Sequence, residues 1–134
     1  MLELRRRAYL DLVAHCLDGL PDEACGLLSG DPAGARAERF HPCGNDAASS
    51  RVYTVNPRDH LRADRAAEEA GHEIIGVVHS HTHTPPYPSP TDVAQAPDPS
   101  WHYAIVSLAG GAPSLRSYRI VEGNISEEDV VLLD

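Results

Sequence analysis

Three of the eight histidines in this 134-residue chain fall within five positions, at His79, His81 and His83. His79 ends the apolar, β-type run Glu73-Ile-Ile-Gly-Val-Val-His79. In a strand, residues two apart project from the same face. His79 and His81 therefore stand side by side, and two imidazoles so placed can converge on one Zn²⁺ at about 2.0–2.1 Å per Zn–N bond. A carboxylate is a suitable third ligand. Asp92 follows eleven positions after His81, across a loop over 82–90 that holds four prolines and can fold back. Three protein ligands leave a fourth position for water, the pattern of a catalytic rather than a structural zinc site. One Zn²⁺ per chain is the expected cofactor. The same alternation reaches His83, so a three-histidine set competes with the two-histidine, one-aspartate set. Strand alternation is expected to end where the proline-rich loop begins, which favours Asp92 and leaves His83 to line a substrate groove.

Ser89-Pro90-Thr91-Asp92 also reads as a helix start, with Ser89 as N-cap, Pro90 in the first turn and Asp92 closing a capping-box-like arrangement. A helix N-terminus is a rigid place from which to aim a carboxylate, so capping and ligation are compatible.

The elements that must position these residues follow from periodicity. Leu4, Ala8, Leu12 and Cys16 share one helical face and predict a helix over 2–18, stopped by Gly19 and Pro21. Strands are expected over 25–30 and 36–42, joined by a turn at Asp31-Pro32-Ala33-Gly34. A polar loop over 44–50 leads to a β-type run at 51–55. Asn56-Pro57 opens a helix reaching Gly71, and a short helix is expected from about Pro90 to Ala96. Residues 102–107, 115–121 and 125–133 read as later strands, the last of them candidate sheet edges. Helices and strands mix throughout, so the class is α/β or α+β in one domain.

Composition removes several chemistries. Eleven basic against twenty acidic residues give a net charge of −9, which opposes nucleic-acid binding. All eleven basic residues are Arg; without Lys there is no Schiff-base chemistry and no Gly-Lys-Ser/Thr phosphate loop. Cys16, Cys25 and Cys43 form no C-x-x-C pair, so buried, reduced thiols in a cytoplasmic protein are expected, with Cys25 the one candidate nucleophile. The N-terminus does not read as a signal peptide, and no run nears the ~18 apolar residues of a membrane span.

The combined pattern His-x-His, seven residues, Ser, two residues, Asp resembles the signature of the JAMM (MPN-plus) zinc metallopeptidases. Pro21-Asp22-Glu23-Ala24-Cys25-Gly26-Leu27-Leu28-Ser29-Gly30 is similar to that family's upstream segment, with Glu23 at the family glutamate. Asn45, the 53–57 segment and Ile75-Gly76 extend the likeness over residues 1–121. The resemblance implies one JAMM/MPN-like domain over 1–134, a central, mostly antiparallel sheet flanked by helices. It implies His79, His81 and Asp92 as metal ligands, Glu23 as proton acceptor and donor, and Ser89 as hydrogen-bond donor to the oxyanion. Thr82, His83 and Asn45 are its candidate substrate contacts.

Within the family, 79–82, 87–93 and 115–121 resemble the Mec-type branch, which releases cysteine from the C-terminal glycine of the ubiquitin-like sulfur carrier CysO. The implied function is such a hydrolysis, in cysteine biosynthesis, by a monomer or small homo-oligomer with the carrier as partner and no membrane or nucleic acid. Deubiquitinases of the family usually carry Pro where this chain has Thr82. An isopeptidase acting on protein lysines and a metal-free interaction scaffold are the alternatives. A zinc deaminase would need a Pro-Cys-x-x-Cys that is absent. The choice of third ligand has a direct check: His83→Ala is expected to keep its zinc in metal analysis and Asp92→Ala to lose it, and the reverse pattern would overturn the assignment.

Overall fold

The structure is a computed structural model that describes residues 1–31, 33 and 35–134. Pro32 and Gly34 of the turn expected at 31–34 lie outside the described residues. Eleven elements follow in order: β1 (Leu2–Arg5), α1 (Arg6–Asp18), β2 (Cys25–Gly30), β3 (Arg36–Cys43), α2 (Pro57–Glu69), β4 (Glu73–His81), α3 (Pro90–Ala94), β5 (His102–Ser107), β6 (Ser114–Val121), β7 (Asn124–Glu128) and β8 (Val130–Leu133). The eight strands form one sheet in the order β7-β6-β5-β4-β2-β3-β1-β8. Four of its seven pairings are antiparallel, so the expected mixed class and mostly antiparallel sheet are what the chain forms.

Each face of the sheet has its own core. On one, Leu2, Leu4, Leu28, Val78 and Val106 pack with Ala8, Leu12 and Cys16 of α1. On the other, Leu27, Val77, Tyr103 and Ile105 pack with Ala63 and Ala67 of α2. The helix faces were legible from period: Ala8, Leu12 and Cys16 are spaced four apart and are the buried residues of α1. Asn56 caps α2 by accepting from the Arg58 and Asp59 amides, with Pro57 in the first turn. Within β4, alternation places His79 and His81 on the Val77 face, beside α2. Gly76 of β4 sits against β5, where a Cβ would lie 2.5 Å from the His102 carbonyl oxygen, so the strand that delivers the histidines needs glycine there.

Four expectations are corrected. The first helix begins at Arg6, because Leu2–Arg5 pairs in parallel with both β3 and β8. Leu2 and Leu4 satisfy a strand as well as a helix, and sheet pairing decides between them. The run 51–55 forms no strand, only an isolated bridge between Asn45 and Val55. The segment 125–133 is two strands, and they end on opposite edges of the sheet. The last helix ends at Ala94, short of Ala96. No helix among the described residues is long and apolar enough to cross a membrane.

A further correction concerns charge. In the sequence the eighteen acids other than Glu23 and Asp92 read as solvated surface, and His102, with no partner at a telling spacing, reads as ordinary. Instead the Glu128 side chain is 6% exposed and its Oε2 lies 2.7 Å from Nδ1 of the buried His102. The Ser117 hydroxyl donates to the same oxygen at 2.8 Å. Burial raises the Glu128 pKa, but the hydrogen bond and charge of His102, with Ser117, outweigh it and hold the carboxyl at about 2. An ordinary glutamate titrates near 4.5, so the unfolded chain binds this proton first as pH falls. The pair's contribution to stability is full above that value and is lost as pH falls toward 2. In urea titrations, wild type is expected to exceed Glu128→Gln at neutral pH, with the gap shrinking between pH 4.5 and 2. A gap independent of pH would exclude this account.

Candidate active site

His79 and His81, on the last three residues of β4, meet Asp92 from the first turn of α3. All three side chains are buried. His79 Nε2, His81 Nε2 and Asp92 Oδ2 form a triangle with every edge 3.1 Å. In a tetrahedral zinc site with bonds of about 2.0 Å, ligand atoms stand roughly 3.3 Å apart, so the triangle has the dimensions of one face of that polyhedron. Protonation points the same way. His81 Nδ1 lies 2.8 Å from the Pro85 carbonyl, a contact that places the imidazole proton on Nδ1 and leaves Nε2 as a lone pair. Asp92 Oδ2 also accepts the Ser89 amide at 2.9 Å. One possible ligand atom from each of three side chains thus converges on one point, an arrangement that a cation satisfies.

The histidines and the aspartate answer each other electrostatically. Burial lowers the pKa of His79. At His81 burial acts in the same sense, but the hydrogen bonds to Asp92 and to the Pro85 carbonyl outweigh it and raise the ring. Burial would raise Asp92, yet its contacts with both imidazoles hold it well below the usual carboxylate range. The anchor for this carboxylate is a complete capping box, since Ser89 Oγ accepts the Asp92 amide at 3.1 Å. Capping and aim therefore coexist at one residue.

Glu23 precedes β2, and its position is set by its neighbours' backbones. Its amide donates to the Ser49 carbonyl at 2.8 Å, and Asn45 Nδ2 donates to its carbonyl at 2.9 Å. Next to it, the Ala24 amide donates to Ser80 Oγ at 2.8 Å, and the Ser80 amide returns to the Ala24 carbonyl at 3.0 Å. Ser80, between the two histidines, thereby ties the Glu23 segment to β4. Glu23 is 5% exposed, and its Oε1 is buried without a hydrogen-bond partner. Burial raises its pKa to about 7, against the charge of His81 and with that of Asp92. A solvated loop acid would show neither feature. Glu23, Ser89, His81, Thr82 and His83 line one cavity of about 600 Å³.

The remaining candidates separate. His83 is exposed and lies outside the triangle, on the cavity wall, with Nδ1 2.7 Å from Thr82 Oγ1. Thr82 is buried, and its hydroxyl donates to the Ser50 carbonyl at 3.2 Å. Asn45 does not line the groove. Its amide nitrogen serves the Glu23 and Val52 carbonyls and its oxygen the Ala47 and Thr54 amides, so its place is inside the loop. Cys25 is 1% exposed, and burial pushes its thiol up to about 12, which removes the thiolate a nucleophile needs.

Tyr53 is the site residue that period and spacing did not mark. Its ring stacks on His79, centroids 4.3 Å apart and planes within 18°. Its signal was only an aromatic in the segment that failed to become a strand. Beyond Tyr53 lies an apolar cavity of about 310 Å³ bounded by Leu27, Val55, Val77 and Trp101.

A family model described as prokaryotic homologs of the JAB domain matches residues 5–121. The CysO-cysteine peptidase of Mycobacterium tuberculosis is 41% identical over 100% of this chain and 92% of its own length. The solution structure of protein DSY2949 from Desulfitobacterium hafniense superposes with a TM-score of 0.90 at 35% identity, covering 100% of this chain and 94% of that one. A structure titled as a JAMM metalloprotease-like zinc site in the proteasome and signalosome has a TM-score of 0.64 at 16% identity, covering 100% of this chain and 99% of its own, and shares the fold.

The stack on His79 fixes a ring that the triangle needs in one orientation. Tyr53→Ala is expected to weaken metal affinity roughly 10- to 100-fold in a chelator competition, while Tyr53→Phe keeps it. Equal affinities in all three proteins would show that the stack has no part in the site.

Proposed function

The chain belongs to the prokaryotic JAB-domain family and is a JAMM-type hydrolase; from that premise we propose that it cleaves the peptide-type bond after the C-terminal glycine of a ubiquitin-like sulfur-carrier protein, releasing cysteine. The observation that carries this reading is the full-length similarity to a CysO-cysteine peptidase. The site's geometry supports a metal-assisted hydrolysis. In the same proposal His79, His81 and Asp92 hold one Zn²⁺. When bound, the ion supplies Lewis acidity that polarises the scissile carbonyl and makes water a stronger acid.

The chain's own residues carry the protons. Glu23 takes one from the attacking water as the C–O bond forms and gives it to the amine nitrogen as the C–N bond breaks. Its unpartnered Oε1 is open to that role, and a carboxyl poised near neutrality is matched to both accepting and donating. Ser89 accepts the Asp92 amide at its lone pair, which leaves its hydroxyl hydrogen to donate to the oxygen that becomes negative. Thr82 and His83 border the path of the substrate's tail.

The test is a mass measurement on a cysteine-adducted carrier with zinc-loaded protein. Wild type is expected to release cysteine. Ser89→Ala is expected to lose roughly 10²–10³ in rate, and Glu23→Gln at least about 10², each with zinc content unchanged. An adduct left intact by the zinc-loaded wild type would overturn the proposal.

A further inference from the structure

The geometry points to Arg51 as the residue that recognises the α-carboxylate of the amino acid released. This rests on the hydrolytic reading above and narrows its substrate class.

Arg51 lines the same cavity as Glu23, His81 and Ser89. Its position is fixed by backbone rather than by a helix or strand. Two residues before it, the Ser49 carbonyl accepts the Glu23 amide at 2.8 Å. The preceding Ser50 carbonyl accepts the Thr82 hydroxyl at 3.2 Å, and the following Val52 carbonyl accepts from Asn45 at 3.1 Å. The Arg51 amide itself donates to Ser49 Oγ at 3.0 Å. Arg51 is thus held between two anchors, one on the Glu23 side of the cavity and one on the His81 side.

The charge around it is the second observation. In a chain of net charge −9, Arg5, Arg6, Arg7, Arg36, Arg62 and Arg116 each face a carboxylate within 3.7 Å, while Arg51 is exposed and, like Arg39, Arg58, Arg65 and Arg119, faces none among the described residues. Among the described residues no carboxylate pairs with Arg51, the one arginine lining this cavity. An unpaired guanidinium in a catalytic cleft is a ready partner for an anion, and its planar fork suits a carboxylate.

Substrate chemistry supplies that anion in the right place. When the leaving group is a single amino acid, its carboxylate carbon is two bonds from the nitrogen that Glu23 protonates. When the leaving group is a lysine side chain, that nitrogen ends a methylene chain and brings no carboxylate with it. A cation in the lining of the cavity that Glu23 also lines therefore favours the first substrate over the second. His83, on the same wall, adds a hydrogen-bonding ring to the pocket.

Two tail peptides ending Gly-Gly-Ala, one with a free C-terminal carboxylate and one amidated, test this. Alanine replaces cysteine so that no thiol reaches the metal. Binding is measured by calorimetry on zinc-loaded Glu23→Gln, which needs no turnover. The acid is expected to bind about tenfold or more tighter than the amide. Adding Arg51→Gln is expected to bring the ratio near one, and Arg51→Lys to restore part of it. A structural role for Arg51 would weaken both peptides and leave the ratio unchanged, which overturns the inference, as does an equal affinity in the parent. Release of cysteine from the carrier adduct without an acid preference keeps the hydrolytic reading and overturns this one. An acid preference without release does the opposite.

Discussion

Two imidazole nitrogens and a carboxylate oxygen are held 3.1 Å apart in a buried place, and only a positive charge shared among them, proton or metal, lets them stay so close. That constraint organises one end of the molecule. A strand must stop there with two histidines on a single face, and a helix must start there with its first carboxylate turned inward. The sheet meets the first requirement, with β4 paired on both sides through His79 and through β5 as far as His81. The capping box meets the second, since the bonds between Ser89 and Asp92 fix both the start of α3 and the carboxylate. The Pro85 carbonyl then chooses the His81 tautomer. Each of these supports removes a freedom that would let the triangle relax by turning a side chain away.

The opposite wall is built on different physics. Between Gly44 and Asn56 the chain has almost no regular structure, yet its carbonyls and amides are matched one by one. Asn45 satisfies four backbone groups, and Ser49 and Ser50 reach Glu23 and Thr82. A loop with neither helix nor ladder must settle its buried polar groups one by one, and here the Asn45 side chain and the Ser49 carbonyl that do so also hold the backbone of Glu23. Burying Glu23 without a partner for Oε1 opposes folding. The raised pKa at Glu23 and the unmatched oxygen are two expressions of that same desolvation.

The clustering of His79, His81 and Asp92 was legible because the pattern that aims them is local. Alternation in β4 and the Ser-Pro-x-Asp start of α3 need no knowledge of the rest of the chain. Glu23 was reached only through a resemblance, since nothing in its own neighbourhood distinguishes it from a surface acid. Its burial comes from residues 45–50 and from Ser80, which are distant in sequence. Tyr53 and Glu128 escaped for the same reason. A tyrosine in a β-type run and a glutamate near the C-terminus acquire meaning only when the 44–56 loop sets the one against His79 and the sheet sets the other against His102. The strand at 2–5 was hidden differently, because Leu2 and Leu4 fit two periods at once and the choice lay with β8, at the far end of the chain.

The two walls divide the work of the site. The β4–α3 wall is regular, paired and packed on both faces of a sheet, so its geometry resists change in any one side chain. The 44–56 wall is a loop whose position depends on a few named hydrogen bonds, and loops tolerate substitution far better than strands. Ser50, Arg51 and Thr82, which line the cavity, gather at or against this second wall, so the part of the lining that a loop substitution changes is separated from the His79–His81–Asp92 triangle. The separation is incomplete at one point, since Glu23 takes its place from Ser49 and Asn45. A change in the loop large enough to reshape this cavity wall also shifts the contacts that hold Glu23, so the loop and Glu23 are coupled through the same few hydrogen bonds.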